Sequence, residues 1–320
     1  MKEVLIPQKI DQESLKIFNG IAEVTFSKEG DMDTFIKLLK DATAVVLGST
    51  INFNSELMDT GKNLKVISRT GAGVDNVDIA SATKKGILVL HTPEANSLTV
   101  AEHTVALITA ISKQLLFLDN EVRKGNFKSA RRLNIPVDIN GKTLGIIGCG
   151  KIGKLVAKKC ISAFEMRVIG YDPYITTPDI NGIKLYKDIK EIFREADFIS
   201  LHVPYTENTK NLVNEELLSL MKPTSYIINS ARGGIIDEAA LAKKLKNNQI
   251  AGAALDVFRP EPPEASNELL QLFNVILTPH SAALTKECSA RVALEACKGV
   301  ADYLTGKTPQ FIFNKEVLKN

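Results

Sequence analysis

Short aliphatic and β-branched runs alternate with amphipathic stretches over the first ninety positions: VLIP at 4–7, AEVTF at 22–26, AVVLG at 44–48, LKVIS at 64–68 and ILVLH at 87–91. Between them the spacing is helical; DMDTFIKLLK at 31–40 opens on an aspartate and repeats its apolar residues three and four apart. Strand and helix in strict alternation predict a parallel α/β unit. From Asn96 to about Asp119, NSLTVAEHTVALITAISKQLLFLD predicts one long helix, capped at Ser97 and apolar on several faces. The polar, basic stretch that follows, EVRKGNFKSARRLNIPVDINGKT, lacks core periodicity and reads as an arm or connector. A second series then begins with TLGIIG at 143–148 and continues through MRVIGYD, ADFISLHVP, TSYIINS, AGAALDV and NVILTPH. These six strand-like runs suit a doubly wound sheet. A final helix at about 285–305 leads into TPQFIFN, a tail able to return to the first unit.

The chain has 320 residues, more than one hydrophobic core usually serves, so two domains are expected. Its net charge of +3 is too small to indicate a nucleic-acid partner. No apolar run is long enough to span a bilayer and no secretory leader is apparent, so no membrane partner and a cytoplasmic location are expected. Cys149, Cys160, Cys288 and Cys297 form no CxxC pair and have no histidine at zinc-ligand spacing; buried thiols, and no metal, are the expectation.

Candidate chemistry begins at GCGKIG, residues 148–153, which follows a strand directly and opens a helix. Gly148 permits the tight turn, Gly150 lets the backbone approach a pyrophosphate, and Gly153 allows close packing of helix on strand. Lys151 and Ile152 lend backbone amides at the helix N-terminus, where the dipole favours an anion. Asp172 ends the next strand, about twenty residues on, at the place of a ribose-binding acid. Its charge disfavours a 2′-phosphate, so NAD rather than NADP is expected.

Three further segments at strand ends carry polar residues: NSARGGIIDE at 229–238, DVFRPEPP at 256–263 and TPHSAALT at 278–285. Strand ends are where ligands bind in doubly wound folds. Moving a hydride to or from C2 of a 2-hydroxy acid requires a proton acceptor for the hydroxyl and a cation for the carboxylate. His280 and Arg232 have those chemistries, and Glu261 is the candidate carboxylate beside the imidazole. Singly, each has another reading: His280 as a loop histidine, Arg232 as a packing arginine, Glu261 as a solvated acid between prolines. His91 and His103 read as structural, whereas His202, with Val203 and Pro204, is a candidate to line the dinucleotide cleft, as are Ser281 and Ala282.

Seven motifs together resemble the D-isomer-specific 2-hydroxyacid dehydrogenases, and among them the phosphoglycerate dehydrogenases most: RTGAGVDNVD at 69–78, GKTLGIIGCGKIG at 141–153, GYDP at 170–173, NSARGGIIDE, AGAALDVF at 251–258, EPP at 261–263 and TPH at 278–280. The resemblance implies two doubly wound domains: a discontinuous flavodoxin-like substrate domain, 1–96 with 286–320, and a Rossmann NAD domain, 97–285, with an active site in the cleft between them. It implies a catalytic Arg232, Glu261 and His280, and contact of Asp256 with the nicotinamide carboxamide. Ser230 and Ala231 would line the cofactor, and Ala72 and Gly73 would offer amides to the substrate carboxylate. The arm, about 119–140, would form a homodimer contact.

Two departures bear on the substrate: Gly48 stands where phosphoglycerate members usually carry an arginine, and HSAALT replaces a glycine-rich HxGAST. The regulatory domains of those members have no counterpart before the chain ends at Asn320, so control by serine is not expected. Arg69, beside the carboxylate loop, is a candidate cation for a phosphate, and Arg131 or Arg132 on the arm a second. Phosphoglycerate, and with it serine biosynthesis, therefore ranks first; reduction of glyoxylate, hydroxypyruvate or another small 2-keto acid is the alternative. From another class, an NAD-sensing corepressor shares the resemblance, but the chain has neither a strongly basic face nor an evident added segment.

Overall fold

The computed structural model describes residues 2–133 and 136–319. The chain forms two compact units, one of Met1–Asn96 and Leu284–Asn320, the other of Ser97–Ala283.

In the first unit the order is β1 (Glu3–Ile6), α1 (Gln12–Leu15), β2 (Glu23–Phe26), α2 (Met32–Leu39), β3 (Ala44–Leu47), α3 (Ser55–Thr60), β4 (Val66–Arg69), α4 (Ile79–Lys84) and β5 (Leu88–Leu90). The five strands form one parallel sheet in the order β2-β1-β3-β4-β5, the flavodoxin-like arrangement. Successive side chains point to opposite faces, so a strand covered on both sides must be apolar throughout. Thus Leu5, Val45 and Leu47 join Phe35, Leu39 and Met58 on one face, while Val4, Ile6, Ala44 and Val46 join Phe18 and the C-terminal helix on the other. Asp31 caps α2 by accepting from Thr34 N at 3.0 Å, which is why that helix starts where its aspartate predicts. The tail does return: Phe313 N donates to Val89 O at 2.8 Å and Asn314 Oδ1 accepts from Val89 N at 2.8 Å, covering the β5 edge.

The second unit runs α5 (Ser97–Ser112), α6 (Leu115–Arg123), α7 (Phe127–Leu133), β6 (Thr143–Ile147), α8 (Lys151–Phe164), β7 (Arg167–Tyr171), β8 (Asp179–Ile180), β9 (Ile183–Leu185), α9 (Ile189–Glu195), β10 (Phe198–Leu201), α10 (Glu215–Ser219), β11 (Tyr226–Asn229), α11 (Glu238–Lys246), β12 (Gly252–Leu255) and β13 (Val275–Leu277). Its sheet has the order β13-β12-β11-β10-β6-β7-β9-β8, parallel except for β8. With β6 at the centre and β9 as the third strand, this is the dinucleotide-binding order extended by β13 at one edge and the antiparallel β8 at the other. The first unit is completed by α12 (Lys286–Leu304).

Three expectations are corrected. The long helix breaks after Ser112, because Gln114 takes a left-handed φ of 51° and Ser112 O accepts from Val137 N instead of continuing the helical ladder. Ser97 lies inside the first turn of α5 rather than capping it. The sheet also has two strands, β8 and β9, that the periodicity did not announce, because they span two and three residues. A signal was present: Asn181-Gly182, with φ of 53° and 80°, is a two-residue hairpin turn of the Asn-Gly kind between β-formers. The arm carries two helices, α6 and α7, with Leu115, Leu116, Val122 and Phe127 exposed; its positions 134 and 135 lie outside the described residues. Among the described residues no helix is long and apolar enough to cross a membrane.

Candidate active site

At the central strand the chain leaves β6 through Gly148 at φ 93° and enters α8 at Gly150. A Cβ on Gly148 would stand 2.5 Å from His202 O, and one on Gly153 2.3 Å from Gly148 O, so backbone packs directly on backbone at both. Gly150 differs: an added Cβ would meet nothing within 4 Å, and no side chain caps α8 there. The helix end is therefore open beside Gly150, which fits the pyrophosphate of a dinucleotide. Asp172 leans on the same turn, its Oδ2 accepting from Cys149 N at 2.9 Å and its Oδ1 from Tyr174 N at 3.0 Å. Cys149 and Cys160 are buried, and burial pushes both thiols up to about 12.

His202 is partly buried, with Nε2 2.9 Å from Ser200 Oγ, and desolvation brings its pKa down from 6.5 to about 4. Between those values the unfolded chain holds a proton that the folded one lacks, so stability falls as pH drops from about 6.5 to 4. Thermal melts across that window should show the slope, and His202→Asn should flatten it. An unchanged slope would remove His202 from the acid response.

The remaining candidates sit on three loops at the C-terminal ends of β11, β12 and β13. Asn229 shapes the first, its Nδ2 donating to Arg232 O at 2.9 Å and its Oδ1 accepting from Ala231 N at 3.0 Å. Arg232 Nη1 donates to Ala231 O at 2.7 Å. A Cβ on Gly233 would lie 1.8 Å from Phe258 O, so the first two loops touch through their backbones. On the second loop Glu261 Oε1 accepts from Phe258 N at 3.0 Å, and Oε2 meets His280 Nδ1 of the third at 2.7 Å. His280 Nε2 has no hydrogen-bond partner among the described residues, and the ring is half exposed.

Asp256 has no exposed side-chain surface. Its Oδ1 accepts from Thr278 Oγ1 at 2.6 Å and Ser281 N at 2.8 Å, its Oδ2 from Ala282 N at 2.9 Å, and its own carbonyl accepts from His280 N at 2.8 Å. The carboxamide contact expected for it is not open in this arrangement: a carboxylate spent on folding the next loop has no face left for a ligand. Likewise Ser230, 7% exposed, turns its hydroxyl to Thr104 Oγ1 at 2.7 Å, and Ala282 is 4% exposed, so any cofactor lining there falls to backbone. Ala231, Val203 and Ser281 are partly exposed and Lys151 and Pro204 exposed.

In the first unit, Arg69 follows the same logic at the end of β4. Its Nε donates to Asn76 Oδ1 at 3.1 Å and its Nη1 to Thr70 O, while Asn76 Nδ2 donates to Gly48 O at 2.9 Å and Ile51 O at 2.7 Å. The 71–73 loop is tied by Thr92 N to Gly71 O at 2.9 Å and by His91 Nδ1 to Ala72 O at 2.9 Å, leaving Ala72 and Gly73 partly exposed.

Residues 105–282 match the family model of the D-isomer specific 2-hydroxyacid dehydrogenase NAD binding domain. The chain belongs to the D-isomer specific 2-hydroxyacid dehydrogenases. It is 38% identical over 316 residues to D-3-phosphoglycerate dehydrogenase of Methanocaldococcus jannaschii, covering 98% of this chain and 60% of that one. To hydroxypyruvate reductase of Thermotoga maritima it is 37% identical, over 91% of this chain and 95% of that one. The fold matches a glyoxylate reductase from Paecilomyes thermophila with a TM-score of 0.88 and 27% identity, covering 98% and 99% of the two chains. The chain thus spans less than two thirds of the length of the first phosphoglycerate dehydrogenases it matches, 55–60%.

Sequence reasoning passed over two residues at this site. Glu238 Oε1 accepts from Arg259 N at 2.8 Å and Oε2 from Asn267 Nδ2 at 2.8 Å, bracing the loop that carries Glu261; burial, with Glu261's like charge, raises its pKa. It closes the NSARGGIIDE motif, so the signal was in view. His103 of α5 brings Nε2 to 3.3 Å from Thr278 Oγ1 and 3.6 Å from Asp256 Oδ1. Since Thr278 donates to Asp256, its hydroxyl accepts from the His103 Nε2–H. Nothing in an apolar helix pattern marks such a contact.

Proposed function

We propose that the chain is an NAD-dependent dehydrogenase that exchanges a hydride between nicotinamide and C2 of a small D-2-hydroxyacid. The 2.7 Å contact between His280 Nδ1 and Glu261 Oε2 carries this reading. A carboxylate at Nδ1 keeps a proton on that nitrogen and leaves Nε2 to exchange one with the substrate hydroxyl. In the oxidation direction Nε2 takes that proton, and Glu261, held by Phe258 N, stabilises the imidazolium. Arg232 polarises C2–O and binds the carboxylate; in the first unit, the amides of Ala72 and Gly73 are the candidate carboxylate contacts. NAD supplies the hydride acceptor. It would be held by the Gly148–Gly153 turn with the Lys151 and Ile152 amides and by Asp172 on the ribose. His202, Val203, Pro204, Ala231 and Ser281 would flank it. The exposed apolar side chains of α6 and α7 support an arm that contacts a second copy.

Similarity to proteins named for phosphoglycerate, hydroxypyruvate and glyoxylate supports the reaction class more than any one substrate. The test is NADH oxidation with glyoxylate, pyruvate, hydroxypyruvate and 3-phosphohydroxypyruvate, repeated with NADPH and with Asp172→Ala. At least one acid should be reduced. NADH should exceed NADPH by roughly tenfold or more, since a charge-assisted bond contributes about 1.5–3 kcal/mol, and Asp172→Ala should narrow the gap. No oxidation with any acid would end this reading; equal use of NADPH by the wild type would end only the role of Asp172.

A further inference from the structure

We propose that Gln8 is a specificity-determining residue that reads the substituent on C3 of the substrate, favouring a hydrogen-bond donor such as a hydroxyl over a phosphate. The inference rests on the dehydrogenase reading above, in which Ala72 and Gly73 receive the carboxylate.

In the first unit's sheet the strand order reverses between β1 and β3, and ligands of open α/β sheets bind outside the carboxyl ends of the strands at such a point. Gln8 stands two residues past β1 and Gly48 directly after β3. A Cβ built on Gly48 would lie 2.1 Å from Gln8 Oε1 and 2.8 Å from Cδ, so the glutamine occupies the space that a side chain at 48 would take. Gln8 Nε2 donates to Thr70 Oγ1 at 3.3 Å, and Thr70 Oγ1 donates to Leu47 O at 3.2 Å. The carboxamide is therefore fastened to the residue that opens the 71–73 loop, with its nitrogen toward Thr70 and its oxygen over Gly48.

Among the described residues Oε1 accepts no hydrogen bond, and the side chain is partly exposed. A carbonyl oxygen without a donor is an uncharged acceptor. A hydroxyl satisfies it; a phosphate brings only acceptor oxygens and negative charge, and leaves both sides unpaired. Arg69 is the nearby cation, but its Nε and Nη1 are directed at Asn76 and Thr70. This reverses the order in which the sequence alone ranks the substrates.

The experiment measures kcat/KM of wild type, Gln8→Ala and Gln8→Leu with NADH and three acids: hydroxypyruvate with a C3 hydroxyl, 3-phosphohydroxypyruvate with a phosphate, and glyoxylate with no C3. Wild type should prefer hydroxypyruvate to its phosphorylated form. Both variants should lower the hydroxypyruvate-to-glyoxylate ratio roughly tenfold, as loss of one hydrogen bond in a binding site does. Gln8→Leu keeps bulk above Gly48, so a collapsed turn cannot produce the result. An unchanged ratio, or a wild-type preference for the phosphorylated acid, overturns the proposal while activity on glyoxylate keeps the dehydrogenase reading. Absence of NADH oxidation with all three acids overturns both.

Discussion

His280→Ala should lower turnover by on the order of 10² to 10⁴, the usual contribution of a positioned acid-base group, while NADH binding, read by fluorescence, stays close to wild type. The ring is half exposed and its polar contact is to Glu261, so removing it opens no core cavity. One complication is built into the backbone. His280 has a φ of 50°, a conformation that costs a residue with a Cβ roughly 1–2 kcal/mol, so part of any loss with alanine can come from a shifted loop. His280→Asn separates the two effects, because asparagine tolerates that conformation and has no titratable nitrogen. Both variants should be equally slow. Turnover near wild type in either would take His280 out of the mechanism.

Asp256→Ala should cost about 1–3 kcal/mol of stability or more, the range for leaving a buried donor without its acceptor, and should slow turnover as well. The substitution strands the amides of Ser281 and Ala282 and the hydroxyl of Thr278, which all donate to this carboxylate. Those donors belong to the loop that carries His280, so the loss reaches the chemistry by moving the imidazole rather than by touching substrate. Asp256→Asn keeps the shape and an acceptor oxygen, and should fall between. Urea denaturation monitored alongside kcat decides the matter. A variant with wild-type stability and a raised KM for NADH alone would restore the carboxamide contact and remove the loop-holding role.

Much of the site was legible because its chemistry is written in local spacing. Gly148 and Gly153 are readable since only backbone without a Cβ allows the approaches seen at 2.5 and 2.3 Å, and the strand before and helix after them are local as well. Glu261 and His280 were nominated by residue type at strand ends, and parallel strands bring their C-terminal ends to one edge of the sheet. What spacing does not carry is which atoms a polar side chain spends on its own fold. Asp256 and Ser230 looked like ligand contacts, yet each is buried against a partner far along the chain, Ala282 and Thr104 respectively.

By itself the sequence determined the two βα series, the helix start at Asp31 and the turn at Gly148, because alternation, capping and glycine freedom act over a few residues. Tertiary structure alone decided the rest. It broke the long helix at Gln114, where the Ser112 carbonyl found a partner in Val137. It set His103 against Thr278 and Asp256, and it laid Gln8 across Gly48 at the reversal of strand order. Each of these joins positions more than twenty residues apart, and which distant groups meet depends on how helices and strands pack, which no local pattern encodes.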